Sequence, residues 1–414
     1  MYIESWGKSY QKNIKTLDSI LTNKTKSTIP IGNQNSLSDC FIPISNYGLI
    51  VGKNNLEGYL HPKMTVSEFI FQEQKILYGT PGNSNVTIAG AIASNTYGKE
   101  AYLGGSFIKN VEELILINSE GNLIKANRLE NKDLFYSTFA GFGLTGLISG
   151  IKLKNQLISY SNHFFTSVTK GRGYNSLNKT LSLKPTNFSQ IILDLTKKDI
   201  NFILKESISS SEHILKSKNL IYKFPNFKLP NLSFIGINMF GSLNILHSFN
   251  KLREKSKHQF LEEILFPLNH LSDPRNFTKN NEIIEIQFSL PIKFKESIND
   301  ILEIFGKSIK PIACSIKFLA NQIENPYLSF VQEGYAINVT FDKRNFNEKI
   351  RIKILDLLLL YECKINLSKD TILDYNYFNK MYPESIEWKK IVKKYDPNNY
   401  FQSGLSKRLN LKKT

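Results

Sequence analysis

Gly79-Thr80-Pro81-Gly82-Asn83-Ser84-Asn85-Val86-Thr87-Ile88-Ala89-Gly90-Ala91-Ile92-Ala93-Ser94-Asn95-Thr96-Tyr97-Gly98-Lys99 is the most informative run of the 414-residue chain. Small residues alternate there with hydroxyls and amides. Few side chains shield the backbone, so its N–H groups can come within hydrogen-bonding distance of a flat polar ring or a diphosphate. A plain packing turn accounts for Gly90 and Ala91, but less well for Pro81-Gly82-Asn83 or Ser94-Asn95.

Working outward, the chain up to about residue 155 is rich in Gly, Asn and short β-branched runs such as Val86-Thr87-Ile88 and Glu113-Leu114-Ile115-Leu116-Ile117. Strands joined by tight turns are expected. Asn118-Ser119-Glu120-Gly121-Asn122 reads as a hairpin turn, and Asn131 to Thr138 as a short helix before a glycine-rich turn. From about 156 to 364 the elements lengthen, lysines and aromatics rise and glycine turns thin out, which marks a second domain. Ile283 to Pro291 alternates like a strand, Phe294 to Phe305 has helical apolar spacing, Ile312 to Leu319 and Tyr335 to Phe341 return to strand, and a helix runs through Leu357-Leu360. That order predicts an antiparallel sheet covered by helices on one face, an α+β fold. The last part, 365–414, carries a helix around Trp388.

The bulk numbers narrow the function classes. With 41% hydrophobic and 12% aromatic residues the chain can bury a large core, or two packed ones. Its most apolar stretches, Ile148 to Leu153 and Ile354 to Tyr361, are too short to span a bilayer. The start, Met1 to Gly7, lacks the basic-then-apolar order of a secretory signal, so a cytoplasmic chain is expected. Cys40, Cys314 and Cys363 are odd in number and never paired as C-x-x-C, which argues against a disulfide framework and a zinc site. The six histidines form no metal-ligand spacing, so no metal is expected. The net charge of +17 permits an anionic partner such as a phosphorylated substrate or a membrane surface. No zinc-finger, RNP or basic-helix motif points to nucleic acid.

The glycine-rich run, followed by Gly104-Gly105-Ser106-Phe107 and then Gly141-Phe142-Gly143-Leu144-Thr145-Gly146-Leu147-Ile148, resembles the flavin domain of the vanillyl-alcohol oxidase superfamily, the PCMH-type FAD-binding proteins. The C-terminal Asn366-Leu367-Ser368-Lys369-Asp370, Phe378-Asn379-Lys380-Met381-Tyr382-Pro383, Glu387-Trp388, Asp396-Pro397 and Ser406-Lys407-Arg408-Leu409 are similar in order and spacing to the decaprenylphosphoryl-ribose oxidases. So are Trp6-Gly7-Lys8, Glu285-Ile286-Gln287-Phe288 and Ser315-Ile316-Lys317-Phe318. The resemblance covers nearly the whole chain. It implies a flavin domain of residues 1–155 completed by 365–414, with a substrate domain, 156–364, inserted between. It also implies an FAD-dependent oxidoreductase acting on CH–OH groups, a sugar or lipid-linked sugar as substrate, a partner reductase, and peripheral association with the inner membrane face. The residues it assigns to FAD are Gly32, Asn33, Ser36, Asp39, Gly82, Asn83, Thr87, Ile88, Ala89, Gly90, Ala91, Ser94, Asn95, Tyr97, Gly98, Lys99, Gly146, Ile148 and Asn366.

Oxidising a secondary alcohol requires a hydride acceptor, a group to take the hydroxyl proton, and positive charge near the ring that receives the electrons. By resemblance Lys369 is the catalytic lysine, with Gln287 and Lys317 as substrate contacts. The family's N-terminal loop reads G-x-G-R-S-Y-G-D. Here it is Gly32-Asn33-Gln34-Asn35-Ser36-Leu37-Ser38-Asp39, so Gln34 and Ser38 replace glycines, at about 1 kcal/mol each wherever the loop needs positive φ. The chain is also shortened between Val51 and Pro62. Asn366 replaces an aromatic neighbour of the ring, and Asn338 a cysteine. No histidine lies in the Gly32 to Asp39 loop, so covalent flavin attachment there is excluded and FAD would be dissociable. Two other readings stand beside the sugar oxidoreductase: a same-fold oxidase of another polyol or lactone, and a non-catalytic scaffold that has lost FAD. Phe224 to Phe227 and Phe234 to Gly236 are candidates for an apolar substrate groove.

Overall fold

The computed structural model describes residues 1–6, 8–17, 27–52, 56–155, 158–159, 163–186, 188–195, 199–209, 255–266 and 282–412. The groove segments at 224–227 and 234–236 lie outside them. The fold is α+β.

The expected hairpin forms from β1 (Val111–Ile117) and β2 (Leu123–Asn127), antiparallel with Ile117 opposite Leu123. Asn118 shapes its turn by accepting the Glu120 and Asn122 N–H groups on Oδ1 at 3.0 and 2.9 Å, the way an Asx side chain mimics backbone. β3 (Leu147–Leu153) pairs with the other edge of β1. Around this sheet pack α1 (Val66–Glu73), α2 (Ile88–Ser94) and α3 (Lys132–Thr138), burying Val66, Ile70, Ile88, Ala91, Ile92, Leu134 and Phe135.

Val86-Thr87-Ile88 does not form a strand. Thr87 is a helix cap whose Oγ1 accepts the Gly90 N–H at 3.0 Å, and Ile88, Ala91 and Ile92 fall on one buried helical face. Hydroxyl capping and 3.6-residue spacing prevail over β-branched propensity.

Among the described residues the expected antiparallel sheet has eight strands: β4 (His163–Arg172), β5 (Phe188–Asp194), β6 (Asn201–Ser209), β7 (Lys257–Phe260), β8 (Ile283–Pro291), β9 (Ala313–Leu319), β10 (Gly334–Asp342) and β11 (Lys364–Ile365). Their spatial order is β7-β4-β6-β5-β9-β10-β8-β11. One face is apolar. Ile284, Ile286 and Phe288 of β8, Ile316 and Phe318 of β9, and Ile337, Val339 and Phe341 of β10 join the core with Ile301, Leu302 and Phe305 of α4 (Ile298–Ile309) and Ile354, Leu355 and Leu358 of α5 (Glu348–Leu360). Phe288 stacks on Phe305 at 5.6 Å. The expected helix from Phe294 begins later: Ile292–Ser297 makes 3-10 turns with Phe294 outside helical geometry, and Phe294 packs edge-on against Tyr361.

The other face of β8, β9 and β10 is polar yet largely buried. The register places Glu285 beside Thr340 and sets two rows across the three strands, Gln287-Asn338-Ser315 and Ser289-Ala336-Lys317, with the β10 residue in the middle of each. Glu285, Gln287, Ser289 and Thr340 are all buried. A buried polar face is tolerated only where it finds polar partners.

Those partners come partly from the tail, which returns to the start of the chain. Thr28 bridges Phe401, Pro43 bridges Ser403, and Trp388 of α6 (Ser385–Tyr395) donates its indole N–H to the Ser137 carbonyl at 3.0 Å. Among the described residues no helix is long and apolar enough to cross a membrane.

Candidate active site

Lys369 sits in a tight turn after β11. The Asn366 N–H is bound by the Gln287 carbonyl at 2.7 Å, and the Lys369 N–H by the Asn366 carbonyl at 3.0 Å. The Asn366 amide then splits its work. Its nitrogen donates to Gln287 Oε1 at 2.6 Å while its oxygen accepts from the Ser368 N–H and hydroxyl at 3.0 and 2.8 Å. Gln287 in turn donates to Asn338 Oδ1 at 3.1 Å. The turn therefore docks on the polar sheet face, where the Lys369 ammonium pairs with Glu285. Thr340 holds the second Glu285 oxygen at 3.2 Å.

The N-terminal loop clamps the same turn from the other side. The Ser38 N–H and the Ser36 hydroxyl both donate to the Ser368 carbonyl. Arg408 binds Asp39 at 2.8 and 3.2 Å, Asp370 at 2.7 Å and the Leu373 carbonyl at 2.7 Å. Burial opposes the Arg408 charge, but the Asp370 and Asp39 carboxylates hold its pKa well above the usual value. Ser36 and Asp39 thus spend their side chains on positioning Lys369. Of the two replaced glycines, Gln34 adopts φ 57° and carries the expected strain; Ser38 does not and is fully buried.

Tyr97 brings the glycine-rich strap to the sheet. Lys317 lies over its ring, 4.8 Å from the centroid, and Phe330 packs edge-on at 5.1 Å. Burial, then the charge of Lys369, push Lys317 down to about 8, against the opposing pull of Glu100 and Glu285. Burial pushes the Tyr97 hydroxyl up, as does Glu285. Glu100 accepts the Thr80 N–H at 2.8 Å and packs its carboxylate against Gly98. Burial raises its pKa despite backbone hydrogen bonds from Glu100 itself, Thr80 and Gly79 and the charge of Lys317. Among the described residues its Oε2 makes no hydrogen bond.

The structure thus gathers Lys369, Gln287, Lys317, Asn366 and Tyr97 into one polar cluster. The two loops expected at a diphosphate also meet: Asn33 donates to the Asn85 carbonyl and Oδ1 at 3.0 Å, Asn35 to the Asn85 carbonyl, and Asn83 to Asn35. A Cβ on Gly32 would lie 3.2 Å from Thr87 Oγ1, and one on Gly90 3.0 Å from it, so both glycines keep this corner open. Gly82 and Ser94 are partly exposed beside them.

Other assigned residues are turned elsewhere. Ile88, Ala91 and Ile148 bury their side chains in the core, leaving backbone alone for a ligand, and Ala89 packs against that core. Asn95, left-handed at the end of α2, donates to Ser329 and accepts from the Ile108 N–H. Lys99 donates to the Ile264 carbonyl at 2.6 Å. Gly146 has φ +144° and presses on the Ile117 carbonyl, which makes it a packing glycine. Sequence reasoning missed Glu285 and Glu100. The signal for Glu285 was its period of two with Gln287 on a strand matched to the family.

No protein-family model matches the chain. It is similar to decaprenylphosphoryl-beta-D-ribose oxidase of Mycolicibacterium smegmatis, 23% identical over 349 residues that cover 80% of this chain and 75% of that one. Over a short stretch it is similar to cytokinin dehydrogenase 2 of Arabidopsis thaliana, 28% identical across 17% of this chain and 14% of the relative. Cytokinin dehydrogenase 7 of Oryza sativa subsp. japonica is 31% identical across 16% and 13%. These relatives bear out the resemblance to the vanillyl-alcohol oxidase superfamily, and with it the reading of the chain as an FAD-dependent oxidoreductase.

Proposed function

We propose that this protein oxidises a secondary alcohol of a sugar, a polyprenyl-phosphate-linked pentose in particular, with FAD as hydride acceptor. The observation that carries the reading is Lys369, clamped between the Ser36–Asp39 loop and a buried polar sheet face, with Gln287 and Lys317 on that face and Tyr97 of the strap beside it. The 75% coverage of a relative named for a lipid-linked ribose supports the substrate class.

The residues fit a flavin. Gly32 and Gly90 leave an open corner at Thr87, the Asn33 and Asn83 loops converge there, and two lysines stand at the sheet. Residues 32–36 and 82–98 would hold the group, Asn366 and Tyr97 would flank it, and bound FAD would supply the hydride acceptor. Lys369 would orient the sugar hydroxyl and balance the charge that arrives with the electrons. Gln287 and Lys317 would bind neighbouring hydroxyls. Amides fixed by Asn338 and Asn366 cost little reorganisation on binding.

The return of the tail to the first part supports a two-part FAD domain, 1–155 with 365–414, around a substrate domain at 156–364. A keto sugar left by this oxidation would pass to a partner reductase, and the net charge of +17 suits a substrate held at anionic headgroups.

The test is the absorbance of the purified protein between about 300 and 550 nm with added FAD, followed by anaerobic titration with a short-chain polyprenylphosphoryl ribose. Flavin bands that bleach with this substrate, and not with free polyols or lactones, are the expected result. No flavin bands after FAD addition would leave the scaffold reading in place of this one.

A further inference from the structure

We infer that Glu285 is the catalytic base that takes the hydroxyl proton of the alcohol; the inference rests on the oxidoreductase reading above. The site must contain a proton acceptor, and the geometry eliminates the other groups on the polar face. Gln287, Asn338 and Asn366 are amides and accept no proton near neutrality. Lys317 is largely protonated below about pH 8, and burial keeps the Tyr97 hydroxyl protonated. The Lys369 ammonium is a donor with no lone pair to offer, and it is already ion-paired with the Glu285 carboxylate. Glu100 is engaged within the strap, where it accepts the Thr80 N–H and packs against Gly98, and burial raises its pKa, which makes it the poorer carboxylate for the task. Glu285 remains. It is a carboxylate on the sheet face, one oxygen on Lys369 and the other on Thr340, two residues along β8 from Gln287.

The step balances. The C–H bond at the carbinol carbon breaks, its electron pair leaving as hydride to FAD; the O–H bond breaks, its proton passing to Glu285, and the C=O bond forms. The alcohol is oxidised by two electrons and FAD is reduced by the same two. Before the step the Lys369 charge is cancelled by Glu285. Once Glu285 is protonated that charge stands uncompensated, at the moment negative charge reaches the acceptor. The pair therefore couples proton removal to electrostatic stabilisation without changing the net charge of the site, which in a buried setting avoids a costly charge separation. Lys369 is 31% exposed against 9% for Glu285, so Lys369 is the member of the pair nearer to water.

The test uses the FAD-loaded enzyme, with Glu285→Gln and Glu285→Asp, reduced anaerobically by a short-chain polyprenylphosphoryl ribose between pH 5.5 and 9. FAD binding by absorbance serves as the control for folding. Glu285→Gln is expected to slow reduction by roughly 100-fold or more, the usual contribution of a general base, with KM little changed and the acidic limb of the rate profile gone. Glu285→Asp should keep that limb and recover most of the rate. A second readout needs no FAD. Acetic anhydride labelling of the apoprotein, followed by mass spectrometry, should modify Lys369 several-fold faster in Glu285→Gln, because the ion pair that engages its nitrogen is gone. A Glu285→Gln enzyme with wild-type rate and pH profile overturns the role of Glu285 alone, and unchanged Lys369 labelling overturns the pair. A wild-type enzyme that binds FAD but is never reduced by the sugar overturns the proposed reaction, and the base with it.

Discussion

Lys317 offers a quantitative check on the polar cluster, through Lys317→Met. Its pKa falls from 10.5 to about 8 through burial and the charge of Lys369. At about 1.36 kcal/mol per pKa unit, the charged form costs the folded protein roughly 3 kcal/mol. The sign follows from proton counts. Between about pH 8 and 10.5 the unfolded chain holds a proton on Lys317 that the folded protein has shed, so this group makes stability rise with pH across that window. Below pH 8 both states are protonated and the full cost applies. Methionine keeps the length of the stem and removes the charge. Urea unfolding of wild type and Lys317→Met should therefore differ by about 2–3 kcal/mol in favour of the variant at pH 7, and the gap should close toward pH 10. The raised Tyr97 and Cys363 groups also titrate at high pH, but they occur in both proteins and cancel in the difference. A gap that stays constant from pH 7 to 10 would refute the reasoning, since it would mean that Lys317 is not held against its ordinary pKa.

Three further outcomes are expected. Lys369→Ala should retain flavin absorbance but slow anaerobic reduction by the sugar substrate by roughly 100-fold or more, as loss of a charge placed for the transition state does. Arg408→Met should lose about 3–5 kcal/mol in urea unfolding at pH 7, because Asp39 and Asp370, 5% and 0% exposed, lose the cation they share. Gly98→Ala would drive a methyl group into both carboxylate oxygens of the buried Glu100, so it should cost about 1–3 kcal/mol of stability and weaken FAD retention in gel filtration.

The sequence made the periodic elements legible and left the charge pairing hidden. Ile283 to Pro291 reads as a strand because its apolar residues alternate, and the same alternation puts Glu285, Gln287 and Ser289 on the opposite face. That this face is buried depends on a tail that returns from across the chain, which periodicity does not report. Lys369 and Glu285 are 84 residues apart. Their meeting follows from the β8–β10 register and the Asn366 turn, each fixed by long-range hydrogen bonds. Val86-Thr87-Ile88 failed for a local reason: the threonine hydroxyl caps a helix that its β-branched neighbours disfavour only weakly.

The altered N-terminal loop bears on the choice between enzyme and scaffold. Of the pattern G-x-G-R-S-Y-G-D, the chain keeps the first Gly, the Ser and the Asp. In the structure Gly32 opens the corner at Thr87, Ser36 holds the Ser368 carbonyl, and Asp39 reaches the Lys369 turn through Arg408 and Asp370. Gln34, at φ 57°, takes the strained position instead of a glycine, at about 1 kcal/mol. Its side-chain oxygen accepts the Glu4 N–H at 3.3 Å, which offsets part of that cost. Gln34 thus falls where the loop meets the N-terminal strand, Ser38 still donates its backbone N–H to the Ser368 carbonyl, and the retained Ser36 and Asp39 are the side chains that hold the lysine turn. A scaffold relieved of chemistry has no use for a buried arginine between two carboxylates, a costly arrangement whose visible effect here is to fix the turn that carries Lys369.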